Sequence, residues 1–158
     1  MRRYLNICAE LEETVGQIYE AMAEKFPEED QLSILWRQMA RDERDHAGQI
    51  RFALRLPASH VFERQDFPEE KVKVLLTQAR NILQLVKERP LSVRETLRLA
   101  LGLEGEFLSA HIVGASFKDE SLKKMMQVLA RADEAHLGLL RQYAREVLGE
   151  PELMPASR

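Results

Sequence analysis

The sequence predicts an all-α protein: a four-helix bundle made of two repeated antiparallel helical hairpins, with a long helical crossover between helices two and three. Apolar residues recur at alternating spacings of three and four, as on the buried face of an amphipathic helix. Only six Pro and seven Gly interrupt this pattern. A chain of 158 residues is expected to form a single domain, residues 1–158.

Hairpin one is predicted over residues 4–56. Pro27 separates its two helices, and Asp30 is a suitable N-cap for the second. Pro57 is expected to end that second helix. Three polar residues lie in the otherwise apolar stripes of this hairpin: Glu12, Glu43 and His46.

Residues 57–91 are predicted to connect the hairpins. Residues 57–67 have no regular pattern, but the run from Glu69 to Lys87 is amphipathic and rich in Val, Leu and Ile. A helix of about 20 residues covers roughly 30 Å. The crossover is therefore long enough to lead the chain from one end of a bundle to the other.

Hairpin two is predicted over residues 92–148. Ser92 and Glu95 match the capping-box pattern, so a helix should begin at about Val93. Asp119 is a suitable cap for the last helix, and the Pro-containing tail, residues 149–158, is expected to fray. The stripes of this hairpin again contain polar residues: Glu104, His111, Asp133 and His136.

The two hairpins are internal repeats. The segment Leu32–Arg51 aligns with Leu122–Arg141, and Glu12 with a Tyr seven residues later aligns with Glu104 and His111. Neither hairpin can bury its apolar stripe alone. Pairing the two hairpins into one bundle is the solution that buries both stripes.

The polar stripe residues are expected to meet at one level of the bundle. Counted from the turn of each hairpin, their carboxylates lie about 20 Å along the helices. No Lys or Arg falls in the four stripes, so buried carboxylates must be neutralised by protons or by two divalent cations. Carboxylates and imidazoles without thiolates suit iron or manganese, with zinc as a further candidate. The candidate metal ligands are Glu12, Glu43, His46, Glu104, Asp133 and His136.

The chain has a Glu on each of two helices, Glu43-x-x-His46 on a third and Asp133-x-x-His136 on the fourth, and this set resembles the ligands of the ferritin-like di-iron carboxylate superfamily. Within it, the Tyr seven residues after Glu12 makes the chain similar to the erythrin domain of rubrerythrin-related proteins, over nearly the whole chain. The resemblance implies two iron ions bound by the candidate ligands. It also implies reduction of peroxide or dioxygen by Fe(II), with Tyr19 and His111 as candidate catalytic residues that deliver a proton or orient a carboxylate.

The sequence departs from this family at several positions. Asp133 is one methylene shorter than the usual Glu, so it is expected to bind one metal rather than bridge, or to leave a position to water. His111 stands where the family often has a second Tyr. Three roles are open to it: a metal ligand, a proton donor or a neutral group beside the ligands. Phe107 stands where rubrerythrins have a further carboxylate. The four Cys of a rubredoxin domain are missing, which implies an external electron donor such as a rubredoxin-like protein.

Other functions fit the same residues. A ferritin-like monooxygenase or hydroxylase would need a substrate cavity beside the metals. A cage-forming iron store is disfavoured because the short fifth helix of such ferritins is missing. A non-catalytic bundle with a relaxed metal site is the alternative that the Glu43 to Asp133 exchange suggests. Related proteins often form dimers, which implies a homodimer.

Composition narrows the class of protein. The net charge of −3, with basic and acidic residues interspersed, disfavours nucleic-acid binding. No apolar run of about 18 residues and no signal-peptide pattern is present, so no membrane association is expected. The single Cys8 excludes an internal disulfide and indicates a cytoplasmic protein.

Overall fold

The computed structural model describes residues 2–27, 30–55, 69–114 and 120–149, and this part of the chain is a bundle of helices without strands. The predicted all-α bundle is therefore confirmed. Five helices make up the described part: α1 (Arg2–Lys25), α2 (Asp30–Arg55), α3 (Glu69–Glu88), α4 (Val93–Gly114) and α5 (Glu120–Leu148).

The start of α4 lies where the local sequence signal places it. In the capping box, the Ser92 backbone N–H donates to the Glu95 carboxylate (2.8 Å), and the Glu95 N–H donates to the Ser92 hydroxyl (3.3 Å). α4 accordingly begins at Val93. The expected cap Asp119, the irregular residues 57–67 and the tail from residue 150 onward lie outside the described residues.

α1 and α2 pack antiparallel along their length. Ser33 at the start of α2 donates to the carbonyl of Ala23 (3.5 Å) near the end of α1. Further along α2, Arg51 pairs with Glu13, which is nearer the start of α1. Residues later in α2 therefore contact residues earlier in α1, so the two helices run in opposite directions.

α3 runs parallel to α1. Its first residue, Glu69, pairs with Arg3 (3.0 Å), and eleven residues later Arg80 pairs with Glu10. α3 has 20 residues, which correspond to about 30 Å of helix, so it leads the chain back along α1. α4 then packs on α5, while α2 contacts α5 and α3 contacts α4.

One continuous apolar core joins the five helices. Its largest fully buried side chains include Trp36 and Tyr19, whose rings stack with centroids 5.6 Å apart and an angle of 8° between their planes. Within the described ranges, no helix is both long enough and apolar enough to span a membrane.

Candidate metal centre

The six predicted ligands lie in the bundle interior. The four carboxylate residues are 0% exposed, and the two histidines are 6% and 4% exposed. Four helices contribute, because in each helix the polar residue continues the spacing of the apolar stripe and is turned inward with it. These residues are Glu12 on α1, Glu43 and His46 on α2, Glu104 on α4, and Asp133 and His136 on α5.

A first group of ligand atoms forms within hairpin one, from Glu12, Glu43 and His46. His46 Nδ1 is 3.2 Å from Glu43 Oε2 and 3.6 Å from Glu12 Oε2. All three ligand atoms lie within 4.8 Å of one another, close enough to bind a single ion.

A second group joins the two hairpins, from Glu43, Glu104 and His136. His136 Nδ1 is 3.1 Å from Glu43 Oε1 and 3.4 Å from Glu104 Oε2. Neither contact has the geometry of a hydrogen bond, and these three atoms are buried without a hydrogen-bond partner. Acceptor and donor atoms that converge without satisfying one another are the arrangement expected of metal ligands.

Glu43 belongs to both groups. One of its oxygens faces His46 and the other faces His136, whose ring centroids are 6.0 Å apart. Gly16 lets α1 lie close to α2 at this level, because a Cβ added there would lie 3.3 Å from the Ala40 carbonyl oxygen and 3.5 Å from Glu43 Cβ. Glu43 therefore lies where α1 and α2 approach each other closely.

Asp133, the repeat equivalent of Glu43, joins neither group. It is nevertheless close to the others, since its charge helps to raise the pKa values of Glu104 and Tyr19. Asp is one methylene shorter than Glu, so its carboxylate extends less far from the helix backbone. The two halves of the site are therefore related but unequal.

Asp42 is a residue of the site that the stripe pattern missed. Its Oδ2 lies 3.3 Å from His136 Nε2, so it accepts the hydrogen bond from the ring nitrogen that faces away from the other ligands. Gln38 donates to the second Asp42 oxygen (2.8 Å) and itself accepts from Arg41 (2.7 Å). A carboxylate in this position fixes the imidazole tautomer and leaves Nδ1 free to bind a metal. The sequence signal that could have identified Asp42 is its place directly before the ligand Glu43, outside the apolar stripe of α2.

Tyr19 links hairpin one to hairpin two. Its hydroxyl donates to Glu104 Oε1 at 2.5 Å, and its ring stacks on Trp36. Burial, followed by the nearby charges of Glu104 and Glu43, raises the Tyr19 pKa, so the hydroxyl keeps its proton. The side chains of His111 and Phe107 lie outside the described residues, and the predictions for both remain predictions.

Protons neutralise much of this charge in the absence of metal. Burial, with the charges of Glu104 and Glu12, raises the pKa of Glu43 to about 8. Burial alone would lower the pKa values of the histidines, but their carboxylate neighbours outweigh it and raise them to about 10 for His46 and about 11 for His136. Burial and the neighbouring carboxylates thus favour the protonated forms of Glu43 and of both histidines in the metal-free site.

The donor set fits a divalent cation. Among the described residues no Lys or Arg side chain is buried, so no fixed cation competes for the carboxylates. Burial raises the pKa of the Cys8 thiol to about 12, which keeps it a thiol and leaves oxygen and imidazole nitrogen as the available ligands. The buried Glu and His groups could thus hold metal ions of the kind that such ligands prefer.

The chain matches no family model, no curated protein and no solved structure. Similarity to another protein therefore contributes nothing to the assignment of this site.

Proposed function

We propose that this chain is a di-iron oxidoreductase of the rubrerythrin-like type, which reduces hydrogen peroxide or dioxygen. The observation that supports the proposal most is the position of Glu43, which is shared by two groups of buried ligand atoms. A carboxylate with one oxygen directed at each of two histidines is suited to bridge two metal ions.

A ferritin-like topology is part of this proposal. It is supported by the antiparallel packing of α1 on α2 and by the parallel course of α3 along α1. A crossover of this kind places α4 parallel to α2, so that each pair of ligand-bearing helices can face the other pair.

Under this proposal Glu12 and His46 would hold one ion, Glu104 and His136 would hold the other, and Glu43 would serve both. Asp133 supplies the remaining carboxylate from the side of α5. Two Fe(II) ions at this site would supply the two electrons that convert hydrogen peroxide and two protons to two waters.

The chain's own residues prepare the site for that chemistry. Tyr19 holds Glu104 in place through its 2.5 Å hydrogen bond and keeps a proton beside it. Asp42 orients His136. The surrounding core excludes water, which strengthens every charge interaction inside. His111, seven residues after Glu104, is proposed as a second proton-delivering residue.

Iron is proposed in preference to zinc because the proposed reaction requires a metal that changes oxidation state, and manganese is the redox-active alternative. The electrons are proposed to come from an external donor such as a rubredoxin-like protein. A homodimer is proposed as well, and sedimentation equilibrium on the purified chain tests it.

The decisive test is an anaerobic titration with Fe(II), followed by stopped-flow mixing with hydrogen peroxide. We expect two irons per chain and rapid oxidation of the bound iron. Glu43→Ala should lose both, whereas Glu134→Gln, an exposed neighbour of Asp133, should behave as wild type. Two bound irons that peroxide oxidises no faster than in the Glu43→Ala chain would refute the proposed activity.

A non-catalytic bundle with a relaxed metal site is the second candidate. The observation that favours it is that Asp133 joins neither group of ligand atoms. The metal content of protein purified without chelator separates the two functions. Well below one metal per chain favours the relaxed site, and about two per chain favours the di-iron enzyme.

A further inference from the structure

The two groups of ligand atoms contain the same kinds of ligand. The hairpin-one position is the group of Glu12, Glu43 and His46. The hairpin-two position is the group of Glu43, Glu104 and His136. Each position therefore has one His, one Glu of its own and one oxygen of Glu43. A difference in metal affinity between the two positions has to come from the residues around the ligands.

The histidine of the hairpin-two position is held from behind. His136 Nε2 lies 3.3 Å from Asp42 Oδ2, and Asp42 Oδ1 accepts a hydrogen bond from Gln38 at 2.8 Å. Arg41, which is exposed, donates to Gln38 at 2.7 Å and completes the chain of contacts. A histidine held in this way already directs Nδ1 at the ligand oxygens, so less freedom is lost when a metal binds.

A second ligand of the hairpin-two position is held as well. Tyr19 donates to Glu104 Oε1 at 2.5 Å, and the other oxygen, Oε2, lies 3.4 Å from His136 Nδ1. The three ligand atoms, Glu43 Oε1, Glu104 Oε2 and His136 Nδ1, are buried without a hydrogen-bond partner. A metal that binds them therefore replaces no hydrogen bond between ligands.

The histidine of the hairpin-one position is held less firmly. His46 Nδ1 makes a 3.2 Å hydrogen-bond contact with Glu43 Oε2, which a metal has to replace. Within the described ranges, no side chain is hydrogen-bonded to His46 Nε2. The internal repeat has the same inequality, because Ala132 stands at the position equivalent to Asp42 and has no polar group to hold an imidazole.

We propose that the first divalent ion binds at the hairpin-two position and the second at the hairpin-one position. This inference rests on the proposed two-metal site, but not on its reaction with peroxide. Residues that hold ligands change metal affinity by about 10- to 100-fold, so the first step should be at least about tenfold tighter than the second. Repulsion between the ions weakens the second step at either position. The order of filling is therefore what Asp42 and Tyr19 decide.

The order is measured at the two imidazoles while zinc is added to the full metal-free chain. Histidine signals of the ¹⁵N-labelled chain are assigned through the backbone, and long-range ¹H–¹⁵N spectra follow the ring nitrogens. We expect the His136 signals to change with the first equivalent of zinc and the His46 signals with the second. In Asp42→Asn the two sets of signals should change together. Zinc does not change oxidation state, so this result is independent of the iron chemistry.

The two histidines also provide a matched pair of variants for zinc calorimetry. His46→Ala should keep the tighter binding step and lose the weaker one. His136→Ala should lose the tighter step, so its first zinc should bind at least about tenfold more weakly than in wild type. Circular dichroism checks that each variant is folded, and His136→Gln replaces His136→Ala if the latter does not fold.

Three results in the wild-type chain would overturn the proposal. These are a change of the His46 signals first, a simultaneous change of both histidines, and no change of either histidine with zinc. Zinc binding in the expected order, together with bound iron that peroxide does not oxidise, would refute the proposed activity alone.

Discussion

Hairpins one and two contain the same ligand pattern but play different roles in the site. In each hairpin a buried Glu faces a His, at 3.6 Å from Glu12 to His46 and at 3.4 Å from Glu104 to His136. Hairpin one also supplies the shared carboxylate Glu43. The equivalent Asp133 in hairpin two is shared by neither group.

The residues around the ligands also differ between the hairpins, and again hairpin one supplies more of them. Asp42 of hairpin one holds the histidine of hairpin two, whereas its repeat equivalent is Ala132, which cannot hold a histidine in return. Gly16 lets α1 approach α2 closely beside Glu43, and its repeat equivalent is the larger Leu108. Hairpin one therefore organises the site, and hairpin two mainly contributes ligands to it.

The largest effect we expect is that of pH on metal affinity, to which both hairpins contribute. His46, His136 and Glu43, with pKa values of about 10, 11 and 8, must release their protons to bind metal. About three protons released near neutral pH correspond to roughly a 1,000-fold gain in affinity per pH unit. Zinc titrations against a competing chelator at about pH 6 and pH 7 measure this slope.

The same protons give the folding stability of the metal-free protein the opposite pH dependence, so this stability falls as pH rises. Glu43 has a folded pKa of about 8 against an ordinary 4.5, so its protonated form stabilises the fold at low pH. That stability is lost as pH rises through 8, and the contributions of the histidines follow as pH rises through about 10 and 11. Metal-free protein whose unfolding midpoint rises between pH 5 and pH 9 would contradict the assigned protonation.

Glu43→Gln tests whether one shared carboxylate sets the site. The amide has the same shape but cannot bridge two metals, so affinity should fall by more than about 100-fold, beyond the loss typical of outer-shell residues. The metal-free variant should be at least as stable as wild type above pH 8, because it buries no charge at this position. Metal titration and urea denaturation measure the two effects, and retained binding of two metals would assign the bridge to another residue.

Asp42→Asn tests the unequal support of the two histidines. The variant keeps the size of the side chain but weakens its hold on His136, so one of the two metals should bind about 10- to 100-fold more weakly. Asp45→Asn, at an exposed position three residues later, is the control. Ala132→Asp gives hairpin two the same side chain and should tighten the metal bound at His46. Equal affinities in Asp42→Asn and Asp45→Asn would remove Asp42 from the site.

Tyr19→Phe tests the link between the hairpins and should have the smallest effect. It removes the hydrogen bond to Glu104 but keeps the stacking on Trp36, at a cost of about 2 kcal/mol in the free energy of unfolding. Urea denaturation measures that cost. Tyr4→Phe is the control, because it removes a buried hydroxyl elsewhere in the core. Metal affinity should fall a few-fold in Tyr19→Phe and stay unchanged in Tyr4→Phe. An equal loss in both variants would indicate general loosening of the core.

The sequence alone determined the helices, their amphipathic faces and the set of buried polar residues. These properties depend on local chemistry: a capping box starts α4 at Val93, and a spacing of three places Glu43 and His46 on one face. The internal repeat also indicated that the two hairpins would bring their ligands to the same level. The burial of all six predicted ligands agrees with that reasoning.

Only the tertiary structure decided how the ligands are shared. Periodicity gives the face and level of a side chain, but not its reach across the gap between two helices. That reach separates Glu43, which faces both histidines, from the shorter Asp133. Contacts between hairpins, such as Asp42 with His136 and Tyr19 with Glu104, join residues 94 and 85 positions apart in the chain. They follow from the packing of α2 on α5 and of α1 near α4, which no local pattern encodes.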